Sequence, residues 1–140
     1  MDSEQIRLVR LSFANIAGRE LEAGRLFYRR LFEIAPETRA LFRNDMDAQS
    51  EKIIHMLGIA VGMLSDAKAL EIVLESLGRR HRGYGARIEH FEKVGEALIW
   101  MLEQMCGDGF TPQVRACWAE VYGQMASIMK RAMLGKQQVA

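Results

Sequence analysis

Leu70-Glu71-Ile72-Val73-Leu74-Glu75-Ser76-Leu77-Gly78-Arg79-Arg80-His81 is the stretch on which the reading of this chain turns. Leu77, Leu74 and Leu70 precede His81 at i−4, i−7 and i−11. Those offsets lie on one stripe of a helix, and an apolar stripe faces a core. A histidine that ends such a stripe points its imidazole inward. A lone histidine there is most often a core residue satisfied by a carbonyl. Three other residues change the weighing, because Tyr28, Phe42 and Gln49 also stand at apolar-helix positions.

Outward from this stretch, the helical period covers nearly the whole chain. Asp2 with Gln5 forms a capping-box pattern ahead of Ile6, Val9, Phe13 and Ile16. Gly18 marks a stop. The next helix carries Leu21, Gly24, Tyr28 and Leu31 on one face, with Phe27 and Phe32 beside them. Pro36 opens a short turn that ends at Phe42, and Arg43 to Asp47 is polar and reads as a loop. A long helix follows from about Met46 to Leu64, its apolar side being Ile53, Met56, Leu57, Ala60 and Leu64. Ser65-Asp66 starts the helix that ends near His81, and Gly83-Tyr84-Gly85 is turn-like. Phe91, Val94, Leu98, Met101 and Met105 define a further helix, broken by Gly107-Asp108-Gly109. Thr111-Pro112 supplies an N-cap and a first-position proline for the last helix, lined by Val114, Cys117, Val121, Met125, Ile128 and Ala132. Strand-like alternation is absent. The expected fold class is all-α, with one domain over residues 1–140 and a frayed tail over 136–140.

Composition narrows the function classes. Net charge is +1, so nothing carries a nucleic-acid footprint, although Arg79-Arg80-His81-Arg82 is locally basic. Two prolines in the whole chain favour long helices. Cys106 and Cys117 lack metal spacing and read as buried reduced thiols. The acidic N-terminus lacks a signal-type apolar run, and no apolar stretch is long enough to span a membrane. A cytoplasmic location is expected.

The four pocket residues are weak signals one by one. Gln49 lies four residues before Ile53, on the same helix face; buried there, it needs hydrogen-bond partners or costs roughly 1–3 kcal/mol. Tyr28 sits in the Leu21, Gly24, Leu31 stripe, so its hydroxyl points inward and needs a partner too. Phe42 alone would be an ordinary loop anchor. A neutral imidazole such as His81 aimed into an apolar pocket is the usual protein ligand of haem iron. His55 lies six residues from Gln49, turned away from that face, and His90 precedes a helix. The three histidines fit no zinc spacing.

Taken in order, these residues resemble the globin family over the whole chain. Phe27-Tyr28-Arg29-Arg30-Leu31-Phe32, Pro36-Glu37 and Leu41-Phe42 resemble the second helix and the following corner of bacterial single-domain globins, of the type found as the haem domain of flavohaemoglobins. Val94-Gly95-Glu96-Ala97-Leu98 and Trp118 through Tyr122-Gly123 resemble the family's last two helices, and Gly24 and Ser50 fall where two helices cross closely. The resemblance implies a three-over-three helical sandwich around haem b. It makes His81 the iron ligand, Phe42 the residue stacked on the haem, Tyr28 and Gln49 donors to bound O2, and Ile53 a wall of the distal pocket. Lys52 and Arg80 become candidate propionate partners, a solvated face being the bland reading for both.

The sequence also departs from that pattern. Flavohaemoglobins pair the proximal histidine with a tyrosine and a glutamate, where an ungapped comparison has Phe91 and Met133 here. Neither side chain can make the imidazole more electron-donating, which favours reversible binding over O–O activation. The Phe42-to-Gln49 spacing is shorter than in flavohaemoglobins. The chain carries no reductase module, so turnover would need an external electron donor. The expected function is reversible binding of O2, with NO and CO as other ligands. The alternatives are an NO dioxygenase served by a separate reductase, a gas sensor acting through a partner, and a haem-free helical interaction protein.

Overall fold

The computed structural model describes residues 2–42, 45–83 and 87–135. Part of the expected polar loop (Arg43, Asn44), part of the glycine turn (Tyr84, Gly85) and the 136–140 tail fall outside those residues. Among the described residues all regular structure is helical: α1 (Ser3–Phe13), α2 (Glu20–Ile34), α3 (Met46–Gly62), α4 (Ala67–Gly83), α5 (His90–Cys106) and α6 (Pro112–Met133), with 3-10 turns at Ala14–Ile16, Pro36–Leu41 and Gly107–Gly109.

The ends follow the local chemistry. Asp2 and Gln5 form the reciprocal capping box. Thr111 Oγ1 accepts from the Val114 amide ahead of Pro112. α1 ends at Phe13, before the expected glycine stop; Gly18, at φ +79°, makes the reversal into α2. α4 runs past His81 to Gly83. The C-terminus of α3 has a partner that the sequence pattern did not announce. Arg10 Nε donates to the Val61 carbonyl at 3.3 Å, and its Nη2 donates to the Gly62 carbonyl and the Ser65 hydroxyl, each at 3.1 Å. A cation there satisfies orphan carbonyls and complements the helix dipole.

Packing places α2 against α3 and α5, α4 against α6, and α1 against α6. Trp118 is fully buried in the centre. Its Nε1 donates to Ser12 Oγ at 2.7 Å, and that hydroxyl donates to the Val9 carbonyl at 2.9 Å, so the indole is satisfied while it joins α6 to α1. Val9, Met101, Leu102 and Val121 belong to the same buried core.

The α2–α3 crossing sets up everything that follows. A Cβ at Gly24 would land on the Ser50 carbonyl oxygen and 2.6 Å from Ser50 Cβ. Only glycine allows this approach, so the small-residue reading of Gly24 and Ser50 holds. The apolar stripe of α3 differs from expectation. Its buried residues are Ser50, Ile54, Ala60 and Val61, whereas Ile53, Met56 and Leu57 are half-covered. α3 presses one side on α2 at Ser50 and on α1 near Gly58, where Phe13 approaches, and a single helix cannot turn both faces to those neighbours.

Candidate functional site

Tyr28 lies one helical turn beyond Gly24, and Gln49 is adjacent to Ser50. The close crossing therefore brings the two side chains together. An exposed ion pair holds the same register: Arg25 Nε and Nη2 grip the two oxygens of Asp47 at 2.8 and 2.7 Å. That pair had no signature in the sequence, because Arg25 and Asp47 sit on the polar faces of different helices. Asp45 caps α3, its carboxylate accepting from the Asp47 amide at 2.9 Å and its carbonyl from the Gln49 amide at 3.0 Å.

Tyr28 is 4% exposed. Its ring meets Phe27 at 4.9 Å and Phe42 at 5.0 Å, both edge-on, and Phe32 at 5.8 Å. Phe32 closes the cage by touching Phe42, also at 5.8 Å. Into this cage Gln49 Nε2 donates to the Tyr28 hydroxyl oxygen at 3.1 Å. The two polar side chains are thus linked in series, an arrangement the sequence did not specify. Burial pushes the Tyr28 phenol up to about 12, against the smaller opposing effect of the Gln49 hydrogen bond. It is neutral at physiological pH and remains a donor.

His81 is half-buried on α4, with Leu70 and Leu74 of its stripe buried and Leu77 half-covered. Its Nδ1 lies 2.7 Å from the Leu77 carbonyl oxygen. A carbonyl can only accept, so Nδ1 is the donor in this contact. The imidazole is thus oriented by its own helix. α3 and α4 find their main packing partners elsewhere, on α2, α1 and α6. Ile53, Met56 and Leu57 on α3 and Leu77 on α4 are left half-covered.

The remaining candidates divide. Ile53 stands one turn from Gln49 on the half-covered side of α3. Lys52 is exposed and forms no ion pair among the described residues. Arg80 is also exposed and folds back along α4, Nε to the Ser76 carbonyl at 3.5 Å and Nη2 to the Ser76 hydroxyl at 3.3 Å. His55 is exposed, and His90 Nδ1 accepts from the Arg87 amide at 3.3 Å. Among the described residues no group of three or more histidine, cysteine or acidic side chains could hold a bare metal ion. Phe91 and Met133 do come together in one buried cluster with Ala126. Sequence reasoning missed Tyr122, whose hydroxyl donates to the Phe91 carbonyl at 2.6 Å. The signal was present as a second α6 stripe of Tyr122, Ala126, Met129 and Met133, beside the one read.

The Globin family model matches residues 25–129. The neuroglobin of Danio rerio is 30% identical over 138 residues, covering 89% of this chain and 87% of its own length. The neuroglobin of Tetraodon nigroviridis is 28% identical over 145 residues, covering 94% and 91%. A solved structure of an engineered carbene transferase, a provisionally assigned nitric oxide dioxygenase from Rhodothermus marinus, superposes with a TM-score of 0.86 at 23% identity, covering 99% of this chain and 97% of that one. At that identity the last likeness establishes the fold. No helix among the described residues is long and apolar enough to cross a membrane.

Proposed function

This chain belongs to the globin family, and we propose that it holds haem b between α3 and α4, with His81 as the iron ligand, and binds O2 reversibly. The observation that carries the reading is the 3.1 Å hydrogen bond from Gln49 to a buried, protonated Tyr28 inside an aromatic cage. Haem iron, when bound, supplies an open coordination position for a diatomic gas. The chain's own residues supply the rest.

His81 donates Nδ1–H to the Leu77 carbonyl, which fixes the ring and presents the Nε2 lone pair to the metal. Phe42 stacks on the macrocycle and Ile53 walls the distal side. Tyr28 accepts from Gln49 and keeps its own proton for the gas ligand. O2 draws negative charge as it binds and CO does not, so a positioned donor favours O2. Gln49 acts chiefly by holding the phenol in position. Lys52 and Arg80 pair with the propionates at the solvent rim, Arg80 leaving Ser76 to do so.

A second reading is NO dioxygenation, in which NO, O2 and one electron from an external donor give nitrate. The fold shared with the provisionally assigned nitric oxide dioxygenase favours it. Nitrate formation over many turnovers, with a cellular reductase as donor, would establish that reading. For the leading one, visible spectra of the ferric, ferrous and O2-treated protein are the test. A Soret band, a five-coordinate ferrous form and a stable O2 spectrum are expected. No Soret band after haem reconstitution would sink the proposal. A six-coordinate low-spin ferrous form abolished by changing His55 or His90 would move the distal assignment off Gln49.

A further inference from the structure

Tyr122 has no part in the distal cage, yet it is mostly buried and makes a short hydrogen bond. Its hydroxyl donates to the Phe91 carbonyl in the first turn of α5 at 2.6 Å. A carbonyl oxygen has two lone pairs, so it can take a helical donor and the phenol together. The ring is seated on Gly95, one turn further along α5: a Cβ there would stand 2.7 Å from Tyr122 Cε2. Glycine at 95 and tyrosine at 122 are therefore a matched pair.

What gives this contact reach is the α6 stripe of Tyr122, Ala126, Met129 and Met133. Phe91 packs with Ala126 and Met133 in a buried cluster, with Ile88, Tyr122 and Met129 against it. The same helix carries α4, at the edge of that stripe. A Cβ at Gly78 would come 2.6 Å from the Met129 carbonyl oxygen and 2.9 Å from Ala132 Cβ, so α4 rests directly on α6 less than one turn before His81. The end of α4 and the start of α5 thus stand on neighbouring positions of one helix, Met129 and Ala132 for α4, Ala126 and Met133 for α5. Tyr122 is a buried polar tie between that stripe and α5; the exposed Arg115–Glu103 ion pair, at 3.0 Å, ties the other ends of α5 and α6. Close-packed interiors transmit small displacements rather than absorbing them.

We propose that Tyr122 is a positioning residue for His81: through the Phe91 carbonyl and helix α6, on which α4 also rests, it sets how the imidazole meets the metal. The inference rests on His81 being the iron ligand. In haem-reconstituted protein, Tyr122→Phe keeps the ring and removes only the hydroxyl. The Soret band should persist. The iron–histidine stretching band of the ferrous form should shift or split. Haem transfer to an acceptor globin should quicken by roughly 2- to 10-fold, the equivalent of one ordinary hydrogen bond. Gly95→Ala keeps the hydroxyl but displaces the ring, and should move the same band; it also serves if Tyr122→Phe fails to fold. Arg115→Ala, which breaks the outer tie, should leave the band where it is. A lowered melting temperature with an unmoved band in both Tyr122→Phe and Gly95→Ala would show Tyr122 to be structural only and overturn the inference. Wild-type protein without a Soret band would overturn the haem reading itself, and this inference with it.

Discussion

Tyr28→Phe tests the distal site most directly. The substitution keeps the ring, so the edge contacts to Phe27 at 4.9 Å and Phe42 at 5.0 Å survive and the cage stays closed. Two things are lost: the donor to the gas ligand, and the acceptor of Gln49 Nε2. A charge-assisted hydrogen bond contributes about 1.5–3 kcal/mol, or about 10- to 150-fold in an equilibrium constant. A bond made only after binding acts chiefly on dissociation. O2 release should therefore quicken about 10- to 100-fold, the upper end being reduced where the freed Gln49 amide donates in place of the phenol. CO release should change much less, because CO is a poor acceptor. Gln49→Leu leaves the Tyr28 donor and removes only its support, so its effect should be smaller, about 2- to 5-fold. Since the two residues are linked in series, the double variant should release O2 at a rate that the product of the single effects does not predict. Stopped-flow dissociation of O2 and CO from the four proteins is the assay. Equal acceleration of both gases would refute the hydrogen-bond argument and indicate altered access, and unchanged rates would remove both residues from the site.

Three further expectations follow from the same geometry. His81→Ala should abolish most haem retention, with partial rescue by exogenous imidazole, while His55→Ala leaves the spectrum alone; wild-type retention in His81→Ala would refute the ligand assignment. Gly24→Ala places a methyl on the Ser50 backbone, and overpacking of this kind should destabilise by about 1–3 kcal/mol in denaturant unfolding and weaken the O2 selectivity that the crossing supports. Burial raises the Tyr28 pKa to about 12 from an unfolded value near 10, so the unfolded chain loses its proton first. The stabilising contribution is complete below pH ~10 and is lost as pH rises toward about 12. Chemical denaturation across that window should show a shallower decline for Tyr28→Phe than for the wild type, and identical slopes would contradict the shift.

Some of this was legible in the residue string and some was not. Helix caps were readable at Asp2 and Thr111, because a cap is a contact between residues three apart. The close crossing at Gly24 and Ser50 was an expectation of the family resemblance, and the missing Cβ of Gly24 is what permits it. The inward stripe of Leu70, Leu74 and His81 was readable from its period. The α3 stripe came out displaced because two neighbours, α2 and α1, compete for the helix's surface. The ties between helices left no mark at all: Arg25 to Asp47, Arg10 to the end of α3, Trp118 to Ser12, Tyr122 to Phe91. Their partners are separated by 22, 51, 106 and 31 positions, and no local rule couples such distances.

By itself, the sequence determined the helical class and the caps at Asp2 and Thr111, because periodicity and capping are properties of neighbouring residues. Tertiary structure alone decided that Gln49 bonds to the Tyr28 hydroxyl, 21 positions away, and that Arg25 grips Asp47 across the same crossing. Each of these depends on which groups reach within about 3 Å of one another, the range over which a hydrogen bond can form. The crossing at Gly24 and Ser50 sets that distance for Tyr28 and Gln49, whereas His81 and Leu77 meet through the turn of a single helix.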